Sequence, residues 1–226
     1  MASEGWRAMK VVLFGATGMI GRGVLRECLL DDRVSAVLAV GRSTVGVVHD
    51  KLRELVHADL LDLAAVEGEL AGHDACFFCL GVSSAGMREG DYRRVTYDLT
   101  LNVASTLARL SPHSTFVYVS GAGTDARSRT MWARVKGETE NALLGLPLNA
   151  YMFRPGYIQP LHGATSRTRL YRVAYVVARP LYPLLRLMFP SAVTTTERIG
   201  RAMIAVAARG APRRVLGPSD INALAS

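Results

Sequence analysis

Along the chain, short runs of consecutive apolar residues alternate with stretches in which apolar residues recur three and four apart. The first run, 10–14, is β-branched and stops at a glycine, the pattern of a buried strand. Residues 21–30 put Val24, Leu25, Cys28 and Leu29 on one helical face. The same reading predicts strands at 34–40, 52–57, 75–80, 115–119 and 150–153, and helices at 63–70, 91–110 and 131–144. Strands alternating with helices require right-handed crossovers, hence parallel pairing with helices on both faces of one sheet. The strands are apolar nearly throughout, as strands covered on both faces are. The pattern predicts an α/β fold, a doubly wound parallel sheet in a single domain over 10–226, after a flexible start at 1–9.

Beyond Arg154 the rhythm changes. A basic amphipathic helix is predicted at 165–178, ending before Pro180 and Pro183. Residues 194–208 form a better helix, with Thr195 or Thr196 as its cap and Ile199, Met203, Ile204 and Ala207 as its apolar face. A last short strand follows at 214–216. Such an excursion, here 157–200, is expected to wall the substrate side of the sheet, above the strand ends where ligands sit.

Composition adds an asymmetry. The net charge is +8 over 226 residues, yet there are 12 basic and 15 acidic residues up to Ala126 and 15 basic against 4 acidic from Arg127 onward. The basic half suits a phosphorylated cofactor or an anionic small-molecule substrate. It lacks the aromatic interleaving of a nucleic-acid module, so no nucleic acid is expected. A membrane surface is the lesser alternative, raised by Leu181, Leu184, Leu185, Leu187 and Met188 beside the arginines Arg172, Arg179 and Arg186. Three cysteines are too few for a disulfide scaffold and point to a reducing compartment, read here as the cytoplasm. Cys76 and Cys79 form a C-x-x-C, but on a strand residues three apart face opposite ways, so a buried pair is expected rather than a redox or metal site. The five histidines show no metal spacing.

The chemistry starts at Gly15-Ala16-Thr17-Gly18-Met19-Ile20-Gly21, directly after the first strand and opening the first helix. In that context the glycines supply a tight turn, close backbone approach to a pyrophosphate, and close helix–strand packing. The helix N-terminus offers free N–H groups and a positive dipole end. No Gly-Lys-Ser/Thr follows, which excludes a P-loop nucleotidase. The second strand ends in Gly41-Arg42-Ser43 with no carboxylate to accept from a ribose 2′-hydroxyl; Arg42 offers instead a fork of donors suited to a 2′-phosphate. This favours NADP, with NAD as the alternative.

Together with Ala58-Asp59-Leu60, Cys79-Leu80-Gly81, Tyr118-Val119-Ser120-Gly121 and Arg154-Pro155-Gly156, this order of motifs resembles the short-chain dehydrogenase/reductase superfamily. More narrowly it resembles the atypical branch that holds epimerase/dehydratase-like and Tat-interacting-oxidoreductase-like proteins, over residues 10 to 216. The resemblance implies a Rossmann domain in which Gly15, Thr17, Gly18, Met19 and Ile20 cradle the pyrophosphate. Asp59 and Leu60 would border the adenine, and Leu80, Gly81 and Val82 the ribose and pyrophosphate. Pro155, Gly156 and Tyr157 would lie by the nicotinamide. It also implies a catalytic serine at Ser120 and a catalytic lysine at Lys136, with a tyrosine four residues before the lysine.

Here that position is Trp132, whose indole donates a hydrogen bond but cannot shuttle a proton. Tyr157 is the substitute considered for the missing acid; Tyr118, two residues before Ser120 on a strand, reads as core, and Tyr97 as helix packing. Two readings follow: an NADP-dependent oxidoreductase or epimerase-like enzyme, and a dinucleotide-binding sensor without turnover. An oligomer through the helices at 91 and 131 would fit the superfamily.

Overall fold

The computed structural model describes residues 8–162 and 193–226. Seven strands form one parallel sheet in the order β3-β2-β1-β4-β5-β6-β9: β1 (Met9–Phe14), β2 (Val34–Gly41), β3 (Leu52–Val56), β4 (Ala75–Phe78), β5 (Thr115–Val119), β6 (Asn149–Phe153) and β9 (Val215–Leu216). The chain winds outward from β1 to β3, then crosses to β4 on the other side of β1. That reversal puts a crevice beyond the carboxyl ends of β1 and β4, where doubly wound sheets bind their ligands. A second, two-stranded sheet pairs β7 (Tyr157–Gln159) with β8 (Val193–Thr195).

Helix α1 (Met19–Leu30) and the helix Thr196–Arg209, here α6, cover one face. They bury Val24, Leu25, Ile199 and Met203 with β1 residues Val11 and Leu13. On the other face α2 (Glu67–Leu70), α4 (Leu99–Leu110) and α5 (Met131–Leu144) cover Val12, Phe14, Phe116, Tyr118 and Met152. Cys76 falls in the second cluster and Cys79 packs against the first, as alternation along a strand requires; burial pushes both thiols up. Tyr118 is 1% exposed and belongs to the core.

Several boundaries differ from the sequence reading. The helix expected at 63–70 is a 3₁₀ turn (Ala64–Val66) followed by one α turn. The helix expected at 91–110 begins at Glu89 as α3 (Glu89–Arg93), passes through a π-helical stretch (Arg94–Asp98) and continues as α4. The strand expected to reach Leu80 ends at Phe78, and the helix Pro218–Leu224, here α7, was not expected. Of the two expected caps, Thr195 accepts from the Arg198 N–H at 3.1 Å. The helix predicted at 165–178, and most of the expected wall at 157–200 with Arg172, Arg179 and Arg186, lie outside the described residues. Among the described residues no helix is long and apolar enough to cross a membrane.

Candidate functional site

The site begins at the glycine loop. Gly15 has φ +84°, and a Cβ there would sit 2.8 Å from the backbone of Cys79 and Leu80, so only glycine fits between β1 and the chain leaving β4. A Cβ at Gly21 would lie 2.0 Å from the Gly15 carbonyl oxygen, which fixes how closely α1 meets the loop. Gly18 is the N-cap of α1 and carries no side chain to satisfy the first-turn N–H groups, leaving them for a ligand. Met19 and Ile20 both pack against the core beneath α1, and Thr17 and Ile20 line two different cavities.

The first cavity, about 70 Å³, lies at the ends of β1 and β2. Gly15, Thr17, Arg42, Leu60 and Leu80 meet there, five residues the sequence reading had assigned to one cofactor. Arg42 is exposed and, among the described residues, in no ion pair. Asp59 does not line this cavity; its carboxylate accepts from the Leu61 N–H at 2.9 Å and shapes a turn. Glu54 of β3 does line it, and the sequence reading missed it.

The second cavity is a groove of about 470 Å³ beyond β4, β5 and β6. Ile20, Val82, Ser120, Lys136, Pro155 and Gly156 line it, together with Trp132 and the buried Tyr92. Gly81 is exposed beside Val82. Tyr157 does not line the groove: β7 alternates, so Ile158 lines it while the Tyr157 hydroxyl donates to Gln159 Oε1 at 3.1 Å. The side chain one helical turn before Lys136 is therefore an indole, and the tyrosine considered as its substitute lies elsewhere.

At the base of the groove four side chains are tied together. The Lys136 ammonium donates to the Ser120 carbonyl at 2.6 Å and to the Val119 carbonyl at 3.4 Å. The Ser120 hydroxyl donates to Glu140 Oε1 at 2.5 Å, with the Phe153 carbonyl a second acceptor at 3.1 Å. Glu140, 2% exposed, is gripped by Arg154 through Nη2 at 2.5 Å and Nε at 3.1 and 3.2 Å. Burial lowers the Lys136 pKa to about 8 against a partial offset from Glu140, and the Glu140 carboxylate holds Arg154 above its ordinary value. Glu140 was not singled out in the sequence; its signal was the four-residue step from Lys136, which puts both on one face of α5.

Residues 15–168 match a family model described as NAD(P)H-binding. The chain belongs to that NAD(P)H-binding family. Its relatives agree with the atypical short-chain dehydrogenase/reductase resemblance. It is 28% identical to Protein HTATIP2 of Rattus norvegicus over 152 residues, 66% of this chain and 62% of that one. It is 29% identical to Protein fmp52, mitochondrial, of Emericella nidulans over 156 residues, 66% of each chain. The matches thus span just under two thirds of those relatives' length. Among solved structures, the fold is shared with the Bordetella bronchiseptica enzyme WbmF in complex with NAD+, at TM-score 0.67 and 17% identity over 96% of this chain and 77% of that one. It is shared equally with WbmG in complex with NAD, at TM-score 0.71 and 11% identity over 96% and 74%.

The residues of this family member fit a nicotinamide dinucleotide. The space at Gly15 that a Cβ would fill and the uncapped start of α1 suit a pyrophosphate, and a cavity lies on either side of them along the strand ends.

Proposed function

We propose that the chain is an NADP(H)-binding, oxidoreductase-like protein of the atypical short-chain type, with Trp132 standing where turnover of a small-molecule substrate would need a tyrosine. The observation that carries the cofactor choice is Arg42, unpaired among the described residues and lining the adenosine-end cavity where β2 ends without a carboxylate. Gly15, Thr17 and Gly18 hold the pyrophosphate, Leu60 and Leu80 cover the adenine and ribose, and Lys136 holds the nicotinamide ribose. The Met19 N–H, at the start of α1, faces the pyrophosphate with Gly18, whereas Asp59 and Gly81 act through the loops they shape and Tyr157 through β7. Bound there, a reduced nicotinamide supplies a hydride to a carbonyl carbon. Ser120, Lys136 and Trp132 form the wall that a carbonyl would meet.

Trp132 favours a second reading, a dinucleotide-binding sensor without turnover. A carbonyl receiving hydride needs a proton, and general acid catalysis contributes typically 10²–10⁴-fold. Trp132 cannot donate one, and the Ser120 proton is directed at Glu140. Unmodified protein mixed with NADPH and a panel of carbonyl compounds is expected to bind the dinucleotide and oxidise it little. Trp132→Tyr is expected to retain binding and gain reductase activity. Robust turnover by the unmodified protein that survives Trp132→Phe would overturn the assignment of the missing acid to position 132.

The cytoplasmic location is supported by the three unpaired cysteines, while relatives such as the Emericella nidulans protein are named mitochondrial. Cell fractionation separates the two locations.

A further inference from the structure

The adenosine-end cavity holds two charged side chains of opposite sign, Arg42 and Glu54. Strand β3 runs parallel to β2 with Ala39 opposite Glu54 and Gly41 opposite Val56, so Glu54 shares a sheet face with Ala39 and Gly41. Ala39 belongs to the core cluster beneath α1, which puts Glu54 on the face that meets the glycine loop. Ala39, Gly41 and Glu54 all line the cavity, and of the three only Glu54 carries a charge. Its Oε2 accepts from the Val45 N–H at 3.2 Å, three residues beyond Arg42, so the loop bearing Arg42 folds over the carboxylate. Among the described residues neither charge is in an ion pair. A ligand entering the cavity therefore meets both.

We propose that Glu54 is a second specificity-determining residue of this cavity, its carboxylate opposing the 2′-phosphate that Arg42 attracts. This rests on the dinucleotide-binding reading above and deepens it. A neutral 2′-hydroxyl meets no charge repulsion from Glu54, whose Oε2 is taken by the Val45 N–H, whereas a phosphate is repelled by the carboxylate. The chain then accepts both dinucleotides, with a smaller preference for NADPH than Arg42 alone would give.

Glu54→Gln tests this cleanly, because glutamine removes the charge but keeps an oxygen for the Val45 N–H. Titrations of the full chain at physiological salt with NADPH, NADH, 2′,5′-ADP and 5′-ADP compare it with the unmodified protein. The expected result is NADPH and 2′,5′-ADP binding roughly fivefold tighter in the variant, with NADH and 5′-ADP unchanged. An unchanged NADPH-to-NADH ratio with both bound overturns this inference and leaves the dinucleotide reading standing. Equal weakening of all four probes overturns it too, because Glu54 would then only hold the loop. Weakening of NADH and 5′-ADP alone also overturns it, in favour of a carboxylate that grips the ribose hydroxyl. Failure of both dinucleotides to bind unmodified protein overturns both readings together.

Discussion

Single residues in this molecule are constrained either by space or by charge. Gly15 is the clearest case of space. Alanine there must hold φ +84° and press a methyl group into the Cys79–Leu80 backbone, a strain of about 1–3 kcal/mol before any steric displacement. Gly15→Ala is expected to lower unfolding free energy by at least that much in urea and to abolish dinucleotide binding; retained binding would show that the loop is not the cradle. Arg42 is a case of charge. A charge-assisted contact to phosphate contributes about 1.5–3 kcal/mol, so Arg42→Ala should lower NADPH affinity roughly ten- to hundredfold while leaving NADH nearly untouched. Lys136 combines the two. Its pKa of about 8 lies below the ordinary 10.5, so between those pH values the unfolded chain holds the extra proton. The destabilisation from burying the ammonium is complete below pH 8 and is lifted as pH rises toward 10.5. Stability measured for unmodified protein and Lys136→Met should therefore move in favour of the unmodified protein between pH 7 and pH 10; parallel curves would contradict the shifted pKa. The glycine and arginine positions were legible in the sequence because the local pattern of strand, loop and helix defines them, and Lys136 was legible through the family resemblance. Glu54 and Glu140 were not, because their significance lies in contacts with residues on other strands.

Among the elements, α5 and the end of β6 are joined by the pair of buried Glu140 with half-buried Arg154, and the end of β5 joins them through Ser120. Removing the carboxylate leaves Arg154 without its ion-pair partner and the Ser120 hydroxyl with the Phe153 carbonyl as its acceptor. Glu140→Ala is expected to cost about 1–3 kcal/mol in chemical denaturation, because the Arg154 left behind is only half-buried; a loss under about 0.5 kcal/mol would show that the tie is dispensable. The limits of β5 and α5 were read correctly because both have uninterrupted patterns between polar or glycine-rich flanks. The π-helical stretch Arg94–Asp98 was invisible, since an added residue in a turn leaves apolar spacing nearly unchanged. Strands β7 and β8 were missed because three residues are too few to show alternation, and their pairing joins segments over 30 residues apart. The miss had a functional consequence, because β7 decides that Ile158 rather than Tyr157 lines the groove.

For the whole molecule, the topology carries the functional assignment. The sheet reverses direction beside β1, the glycine loop caps that point, and the cavities lie to either side of it along the strand ends. Ligand bound only by the folded chain stabilises it in proportion to the logarithm of its concentration over Kd, so NADPH should raise the thermal midpoint of unmodified protein and fail to do so in Gly15→Ala. The central claim is that this crevice holds a nicotinamide dinucleotide and prefers the phosphorylated one through Arg42. Calorimetric titration of the unmodified chain with NADPH and with NADH, in one buffer at physiological salt, tests it most directly. The account predicts one site for both dinucleotides and about tenfold tighter binding of NADPH; equal affinities, or no binding of either, would contradict it.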